Sequence, residues 1–514
     1  MLSFKLLCLP PELLVSVLDY LTECDLARCS QVCHTLNNAI QGSTLFRYKI
    51  ELALTGMMDG ASKRFSVAEK LAKLKEFSEA WTHLSFSWTR SIPNPGEFGC
   101  LTSGIYAVSR PSIPGAIDCY QVPSRIRDVQ EKSWILENGI IDVPFSMFEI
   151  DRAQDLIVMV ETSLTAFLDL HLRSLTHPDK PHPIAKRPTL SSLEFPEYCA
   201  TTLYVQADVV GYMVHNSGQW ESHLQVWNWK TGIKILHVCN AAFPFALTSF
   251  AFISENHVML SLPDRLLVFE FEPSSETDIT PLCNKGPILQ LGLPDISDGA
   301  LLVRSSFVAH NRVTMWTPPE QDAPFRTSGE HALFVVTQTL LRRNSESDFS
   351  VVFLVQASVI QSLLSKATGH ARTQYHPWAD WGVRGTRVLT FPLDTDLYID
   401  VRGSKAMIAF MPDRDVRSLC VDIYEINERI WKRQSPLGAL HDHDIITEPS
   451  TVQELGWFRQ EIATSLPYRV TRTIVQTQFS IHEFEDRDAY RDCFLMEDGL
   501  AISHADESCQ FYIL

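Results

Sequence analysis

The run His441-Asp442-His443-Asp444 sets two imidazoles and two carboxylates side by side, donors that suit a divalent cation. Along an extended loop, however, neighbouring side chains point to opposite sides. No second group of ligands is marked elsewhere, and the run reads as a solvated loop. Cys24, Cys29 and Cys33 with His34 supply donors of the zinc type. Their spacing matches none of the usual zinc patterns, and Cys33 falls on an apolar helix face, where it reads as a core residue. The stretch YHPWADWGVRGTR, residues 375–387, gathers His376, Trp378, Asp380, Trp381, Arg384 and Arg387. Trp and Arg often anchor protein interfaces, so the stretch is a candidate binding face. The same residues equally suit the ends of strands packed beside a turn. Nucleophile elbows, phosphate-binding loops, dinucleotide fingerprints, zinc-protease helices and kinase signatures do not occur. The reading is therefore of a non-catalytic protein with no cofactor and no metal.

The totals narrow the partners. Asp plus Glu number 61 against 44 for Lys plus Arg, a net charge of −17. So acidic a surface repels phosphate backbones and anionic lipid, and neither nucleic acid nor membrane is expected as a partner. The most apolar internal stretch, residues 155–172, carries Asp155, Glu161 and Asp169 and does not read as a membrane span. The apolar start is interrupted by Pro10, Pro11 and Glu12 too early for a signal peptide. Twelve cysteines without regular spacing, and no Asn-x-Ser/Thr sequon, suit the cytosol or nucleus. With 514 residues, 45% of them hydrophobic, the chain is long enough for several cores.

The elements that could position a site begin at the N-terminus. In LPPELLVSVLDYL, Leu13, Leu14, Val17, Leu18 and Leu21 recur on one helical face, and the two prolines fit a first turn. Asp25 can cap a second helix through Leu26. A third follows Ser30, with Val32, Cys33, Leu36 and Ile40 on one face. Gly42 ends it, and Ser43 can cap a turn leading to Leu45 and Phe46. So small a bundle cannot hide all of this apolar surface. Leu9, Pro10, Leu13 and Val17 are expected to remain as an exposed patch, which usually marks an interface.

These residues resemble the F-box. The likeness is carried by Leu9-Pro10-x-Glu12-Leu13-Leu14, Val17-Leu18, Leu21, Asp25-Leu26, Ser30, Val32-Cys33, Leu36 and Leu45-Phe46. Many F-boxes have Trp where Leu36 and Phe46 stand here, and both replacements stay apolar. The resemblance implies binding to a Skp adaptor, and through it to cullin and RING subunits. The residues it assigns to adaptor binding are Leu9, Pro10, Leu13, Leu14, Val17, Leu18, Leu21, Leu26, Val32, Cys33, Leu36 and Phe46.

Ser66 with Glu69 forms a capping box for a further helix, in which Val67, Leu71, Leu74, Phe77, Trp81 and Leu84 repeat at helical spacing. It reads either as a rigid connector or as a core helix of the large domain C-terminal to it. From about residue 86 the pattern changes to short apolar runs punctuated by Gly, Pro, Asn and Asp. The clearest stretch is residues 204–271, with alternation in Leu224-Gln225-Val226 and a turn at Lys230-Thr231-Gly232. Four short strands, repeated, are the signature of propeller blades. WNWKTG resembles the end of a WD40-type blade, although no regular repeat is present, and an irregular pair of β-sandwiches is the alternative. Residues 176–188 and 437–449 read as exposed loops. An F-box before a degenerate β-rich region also resembles large families of fungal F-box proteins.

The expected organisation is multi-domain: a small all-α F-box module over 1–50, a helical linker over 51–85, and a large all-β, propeller-like domain over 86–514. The resemblance implies the substrate-recognition subunit of a Skp–cullin–F-box ubiquitin ligase, with the β domain binding an unidentified target protein. The alternative is an F-box scaffold without a role in ubiquitination.

Overall fold

Proline opens the first helix. In the computed structural model Pro10 occupies the N-cap and Pro11 the first turn of α1 (Pro11–Leu18), where a missing N–H leaves no bond unmade. The second helix, α2 (Glu23–Ser30), is capped by Thr22 and not by Asp25. The Thr22 side chain accepts the Asp25 N–H at 3.2 Å and donates to the Asp25 carboxylate at 2.9 Å. Next come α3 (His34–Gly42) and α4 (Thr44–Thr55). Ser43 caps α4 through the Phe46 N–H, and Gly56 ends it at φ +67°, a backbone conformation that favours glycine. The Ser66–Glu69 capping box starts α5 (Val67–His83). The structure describes residues 6–93, 99–102, 104–110, 113, 115–126, 128–136, 145–161, 167–194, 199–216, 221–239, 247, 249–275, 286–309, 323–329, 331–342, 349–367, 373–392, 396–411, 418–434, 445–452, 457–476, 490–504 and 508–514.

The rest of the chain forms a seven-bladed β-propeller. Blade 1 runs from Gly99–Thr102 to Lys132–Leu136, blade 2 from Phe145–Asp151 to Thr189–Glu194, and blade 3 from Cys199–Gln206 to Ile233–Cys239. Blade 4 begins at Ser249–Ser254 and blade 5 at Ala300–Ala309. Blade 6 begins at Leu397–Arg402 and blade 7 at Tyr490–Met496. The first strands of successive blades lie against one another around the axis. The outermost strand of blade 7 comes from the other end of the propeller sequence: Trp88–Pro93 pairs with Ser508–Ile513, in register from Trp88 opposite Ile513 to Pro93 opposite Ser508. This strand closes the ring.

Each gap between blades holds its own layer of buried apolar side chains. Between blades 3 and 4, Met213, Leu224 and Val226 meet Phe250, Phe252 and Leu260. Gly211 lies there too, and a Cβ on it would stand 2.8 Å from the Phe252 ring. Strands sandwiched between two blades are buried on both faces, as in Leu156–Glu161 and His257–Ser261. Such strands carry continuous apolar runs, which is why clean alternation is rare in this sequence.

The helices are built into this ring. Tyr48 and Leu52 of α4, and Leu71, Leu74, Phe77 and Trp81 of α5, share one core with Met407, Leu419 and Val421 of blade 6 and Leu495, Leu500 and Ile502 of blade 7. Of the two sequence readings of the 66–84 helix, the structure shows a core helix. The short strand Met57–Asp59 pairs with Phe325–Thr327, a two-stranded sheet in the connection between the first two strands of blade 5. In an antiparallel meander from axis to rim, the first–second and third–fourth connections emerge on one face. The helices sit on that face, against Lys405 just after the first turn of blade 6, the turn at Glu497-Asp498 and the connection that holds α8 (Glu428–Gln434), counting Ala357–Ala367 as α6 and Trp378–Gly385 as α7.

Inside the ring, Asp400 bridges blades 6 and 7 by accepting the Leu495 N–H at 2.7 Å, and it also accepts the Val401 N–H at 2.8 Å. Burial, with a smaller contribution from Asp492, pushes its carboxyl from 3.8 up to about 6, against the pull of those N–H groups and Arg402. The folded protein thus holds this proton over a higher pH range than the unfolded chain. The contribution to stability is largest below pH 3.8 and falls as pH rises from there through about 6. We expect the thermal midpoint of the wild type, relative to that of Asp400→Asn, to fall between about pH 4 and about pH 7. A midpoint difference that stays constant over this range would remove the assignment.

Candidate protein-docking surface

A bundle of four short helices has little interior, and here it is filled by Leu14, Leu18, Leu26, Leu36, Ile40 and Phe46. Leu9, Leu21, Cys29 and Cys33 pack half-buried around this core. What the bundle cannot hide is left outside. Leu13 is 53% exposed, Val17 43%, Tyr20 92% and Val32 71%; Pro10, Leu6, Leu7 and Leu45 are exposed as well. Leu13, Val17 and Tyr20 follow the i, i+4, i+7 spacing of a helix face. Tyr20 stays near that register because its N–H bonds back to the Val17 carbonyl at 3.3 Å beyond the end of α1. The result is an apolar stripe on the outer side of the module, the kind of surface that marks a binding site.

The twelve residues assigned by sequence therefore divide by position. Leu14, Leu18, Leu26, Leu36 and Phe46 are buried, so they shape the surface from beneath. Pro10, Leu13, Val17 and Val32 lie on it, with Leu9, Leu21 and Cys33 at its margin. Tyr20, Leu6, Leu7 and Leu45 were not among the twelve, and the Leu13–Val17–Tyr20 spacing is the signal that could have found Tyr20. The end of α1 is pinned to α4: the Lys49 ammonium donates to the Asp19 carboxylate at 2.7 Å and to the Asp19 carbonyl at 3.1 Å.

The stripe is held at a fixed place relative to the propeller because α4 belongs to two cores. Phe46 points into the bundle, whereas Tyr48 and Leu52 point into the core shared with blades 6 and 7. The Tyr48 hydroxyl donates to Asp59 at 2.8 Å and approaches the Pro324 carbonyl at 3.0 Å. Burial and the Asp59 carboxylate keep its proton on well above the usual tyrosine range. Lys70, itself buried, donates to Asp59 at 2.8 Å and to the Gly60 carbonyl at 3.0 Å. From the propeller, Asn427 and Arg429 donate to the last carbonyls of α4, at Leu54 (2.9 Å) and Ala53 (3.2 Å). These bonds serve the helix end as a C-cap does.

The other sequence candidates lie apart from this surface. Cys24 is exposed, while Cys29 and Cys33 are half-buried free thiols against the bundle core. His441, Asp442, His443 and Asp444 lie outside the described residues. The 375–387 stretch joins the end of one strand, Gln374–His376, to the start of another, Thr386–Pro392, through the helix α7, so the strand-end reading holds at His376 and Arg387 and a helix stands where a turn was expected. Trp381 is buried and donates to the Gly292 carbonyl at 3.0 Å, Trp378 packs edge-on against it, and Arg387 is buried over the Tyr468 ring. Its anchors are thus spent on packing between blades 4, 5 and 6.

Residues 6–50 match the family model described as F-box-like. No curated protein matches the chain. Among solved structures the chain is similar to virginiamycin B lyase from Staphylococcus aureus, with 6% identity and a TM-score of 0.33 over 83% of this chain and 99% of that one. It is similar also to Kluyveromyces lactis Hsv2, with 12% identity and a TM-score of 0.25 over 70% and 90% of the two chains. For an oligogalacturonate lyase in complex with manganese the values are 9% and 0.37 over 83% and 97%. Likenesses this distant carry no argument about function. The chain is an F-box-like module followed by a propeller.

Surface and core positions of the module should respond differently. We expect Leu13→Ser and Val17→Ser to change the unfolding free energy by no more than about 0.5–1 kcal/mol, because both side chains are already about half exposed. Leu18→Ala should lower it by about 2–5 kcal/mol. Urea unfolding monitored by circular dichroism makes the comparison, and similar losses at all three positions would show that the stripe is not exposed.

Proposed function

We propose that this protein is the substrate-recognition subunit of a Skp–cullin–F-box ubiquitin ligase, with the helical module seated on the Skp adaptor and the propeller offered to a target protein. One observation carries the reading: the module that matches the F-box-like model leaves an apolar stripe, Leu13, Val17 and Tyr20, in water. An isolated domain gains nothing from that exposure. Association with an apolar adaptor surface removes it, at about 25 cal/mol for each Å² buried.

On this reading the chain does no chemistry. Ubiquitin transfer belongs to the cullin-bound RING and conjugating enzymes, and this subunit contributes proximity. A lysine of the target is held near the charged enzyme, converting a bimolecular encounter into one of high effective concentration. Such a subunit needs a stiff joint between its two docking surfaces, and the shared core of α4 and α5 with blades 6 and 7 supplies one. The same reading places the protein in the cytosol or nucleus, where its partners and reduced thiols would be found.

Co-expression with a Skp adaptor followed by gel filtration tests the proposal. We expect a one-to-one complex that is lost in Leu13→Glu/Val17→Glu. Each anchor should contribute about 2 kcal/mol, so the pair should weaken binding by about several hundred-fold or more. The thermal midpoint should be unchanged. A complex that survives the double substitution would sink the docking assignment. Adaptor binding without any increase in ubiquitin transfer to captured targets would leave only the scaffold role.

A further inference from the structure

Residues 176–188, which join the third and fourth strands of blade 2, form an exposed loop whose shape is over-determined. The Lys180 N–H bonds to the His177 carbonyl at 2.9 Å, the His182 N–H to Leu172 at 3.0 Å, and the Ala185 N–H to His182 at 3.0 Å. The Lys186 N–H crosses to the Lys230 carbonyl of blade 3 at 2.9 Å, and the Arg187 side chain to the Gly232 carbonyl at 3.1 Å. At its start, the Asp155 carboxylate accepts the Thr176 N–H at 2.8 Å and the Thr176 hydroxyl at 3.0 Å. The buried His182 ring stands edge-on to Trp229 with centroids 4.8 Å apart. Pro178, Pro181, Pro183 and Pro188 remove further freedom. A loop needed only as a connection requires none of this.

Its chemistry runs against that of the whole chain. Between His171 and Pro188 there are four cations, Arg173, Lys180, Lys186 and Arg187, and one anion, Asp179, in a protein whose net charge is −17. Among the cations Lys180, Lys186 and Arg187 are exposed, and at the tip Ile184 is 59% exposed. The loop therefore presents an apolar knob flanked by positive charge on a frame that needs little ordering on binding. As a third–fourth connection it also emerges on the face that carries the helical module.

We propose that this loop docks a short acidic segment of a partner protein, carboxylates meeting Lys180, Lys186 and Arg187 and an apolar side chain covering Ile184. The length of the patch decides between polypeptide and nucleic acid. Duplex DNA carries a charge about every 1.7 Å of its axis, so it would run past the loop along a protein whose net charge is −17. A segment of a few carboxylates ends where the cations end. The proposal does not rest on the adaptor reading, because it concerns blades 2 and 3 and not the helices.

Fluorescence anisotropy of the full chain with a labelled synthetic peptide of alternating Glu and Asp interrupted by two leucines is the test. Saturable binding is expected at low ionic strength, weakened at high salt as exposed charge pairs are. Lys180→Glu/Lys186→Glu should weaken it at least about tenfold and Ile184→Ser by about threefold. The loop bonds of both lysines are made by their backbone N–H groups, so the charge reversal should leave the thermal midpoint in place; Lys180→Gln/Lys186→Gln serves if it does not. Absence of saturable binding, binding indifferent to these substitutions, or tighter binding of a single-stranded oligonucleotide of similar charge would each overturn the proposal.

Discussion

Closure of the ring is the constraint on which the remaining structure depends. The six residues Trp88–Pro93 form the outer strand of a blade whose other three strands lie at the far end of the sequence. Until they pair, blade 7 lacks its outer strand and blade 1 lacks a settled neighbour. The same strand follows α5 after only a few residues: the Ser87 N–H already bonds to the Ile513 carbonyl at 2.7 Å, and Phe86 packs on Tyr512. Contacts of such sequence separation are slow to form, and they are formed last at the least entropic cost when local units have already folded.

Position of the helical module is set by closure. The segment that enters the ring as its last strand leaves the preceding helix lying over blades 6 and 7, where Phe77 and Trp81 become part of the propeller core. Trp81 then donates to the Glu497 carbonyl at 3.0 Å, and Thr327 from blade 5 donates to the Glu497 carboxylate at 2.9 Å. Three blades thus converge on the underside of the module. Buried Lys70 would be costly there as an isolated ammonium; Asp59 and the Gly60 carbonyl compensate it, and Tyr48 completes the group. A polar cluster of this kind specifies one angle between the module and the ring, because any other leaves charged groups without partners.

Much of the helical part was legible in the sequence, since its signals are local. Pro10-Pro11, Ser43 and the Ser66–Glu69 box all stand where the structure starts a helix. Asp25 misled only because Thr22, three residues earlier, is the better cap and uses Asp25 as its partner. The β part was legible as strands and as a propeller-like arrangement, but not as a count of blades. Inner strands such as Gly499–His504 are buried throughout and show no alternation. Helices α6, α7 and α8 are inserted in blades 5 and 6 and disturb any fixed period. α7 was hidden for a further reason. Gly382 and Gly385 look like turn residues, yet each is a site of close approach: a Cβ would stand 2.3 Å from the Trp378 ring and 2.6 Å from Val359 respectively. The exposed stripe was legible in part: Pro10, Leu13 and Val17 were expected to stay exposed and do, whereas Tyr20 was missed because it lies past the end of α1 and keeps the helical register only through its bond to the Val17 carbonyl.

The topology of the meander joins the two surfaces proposed for binding. First–second and third–fourth connections share a face, so a helical module seated on the turns of blades 5, 6 and 7 must lie on the same side as the third–fourth loop of blade 2. Among the described residues, the stripe on α1 and the loop are joined by the Lys49–Asp19 contact, the shared core, and the apolar layers between blades 7 and 1 and between blades 1 and 2. The two surfaces are therefore at a fixed separation, and a ligand that engages both gains from the second contact only if its own geometry spans that distance. Rigidity selects among partners here in a way that a flexible linker would not, and it derives from ring closure, since the strand that completes blade 7 is continuous with the helix that seats the module.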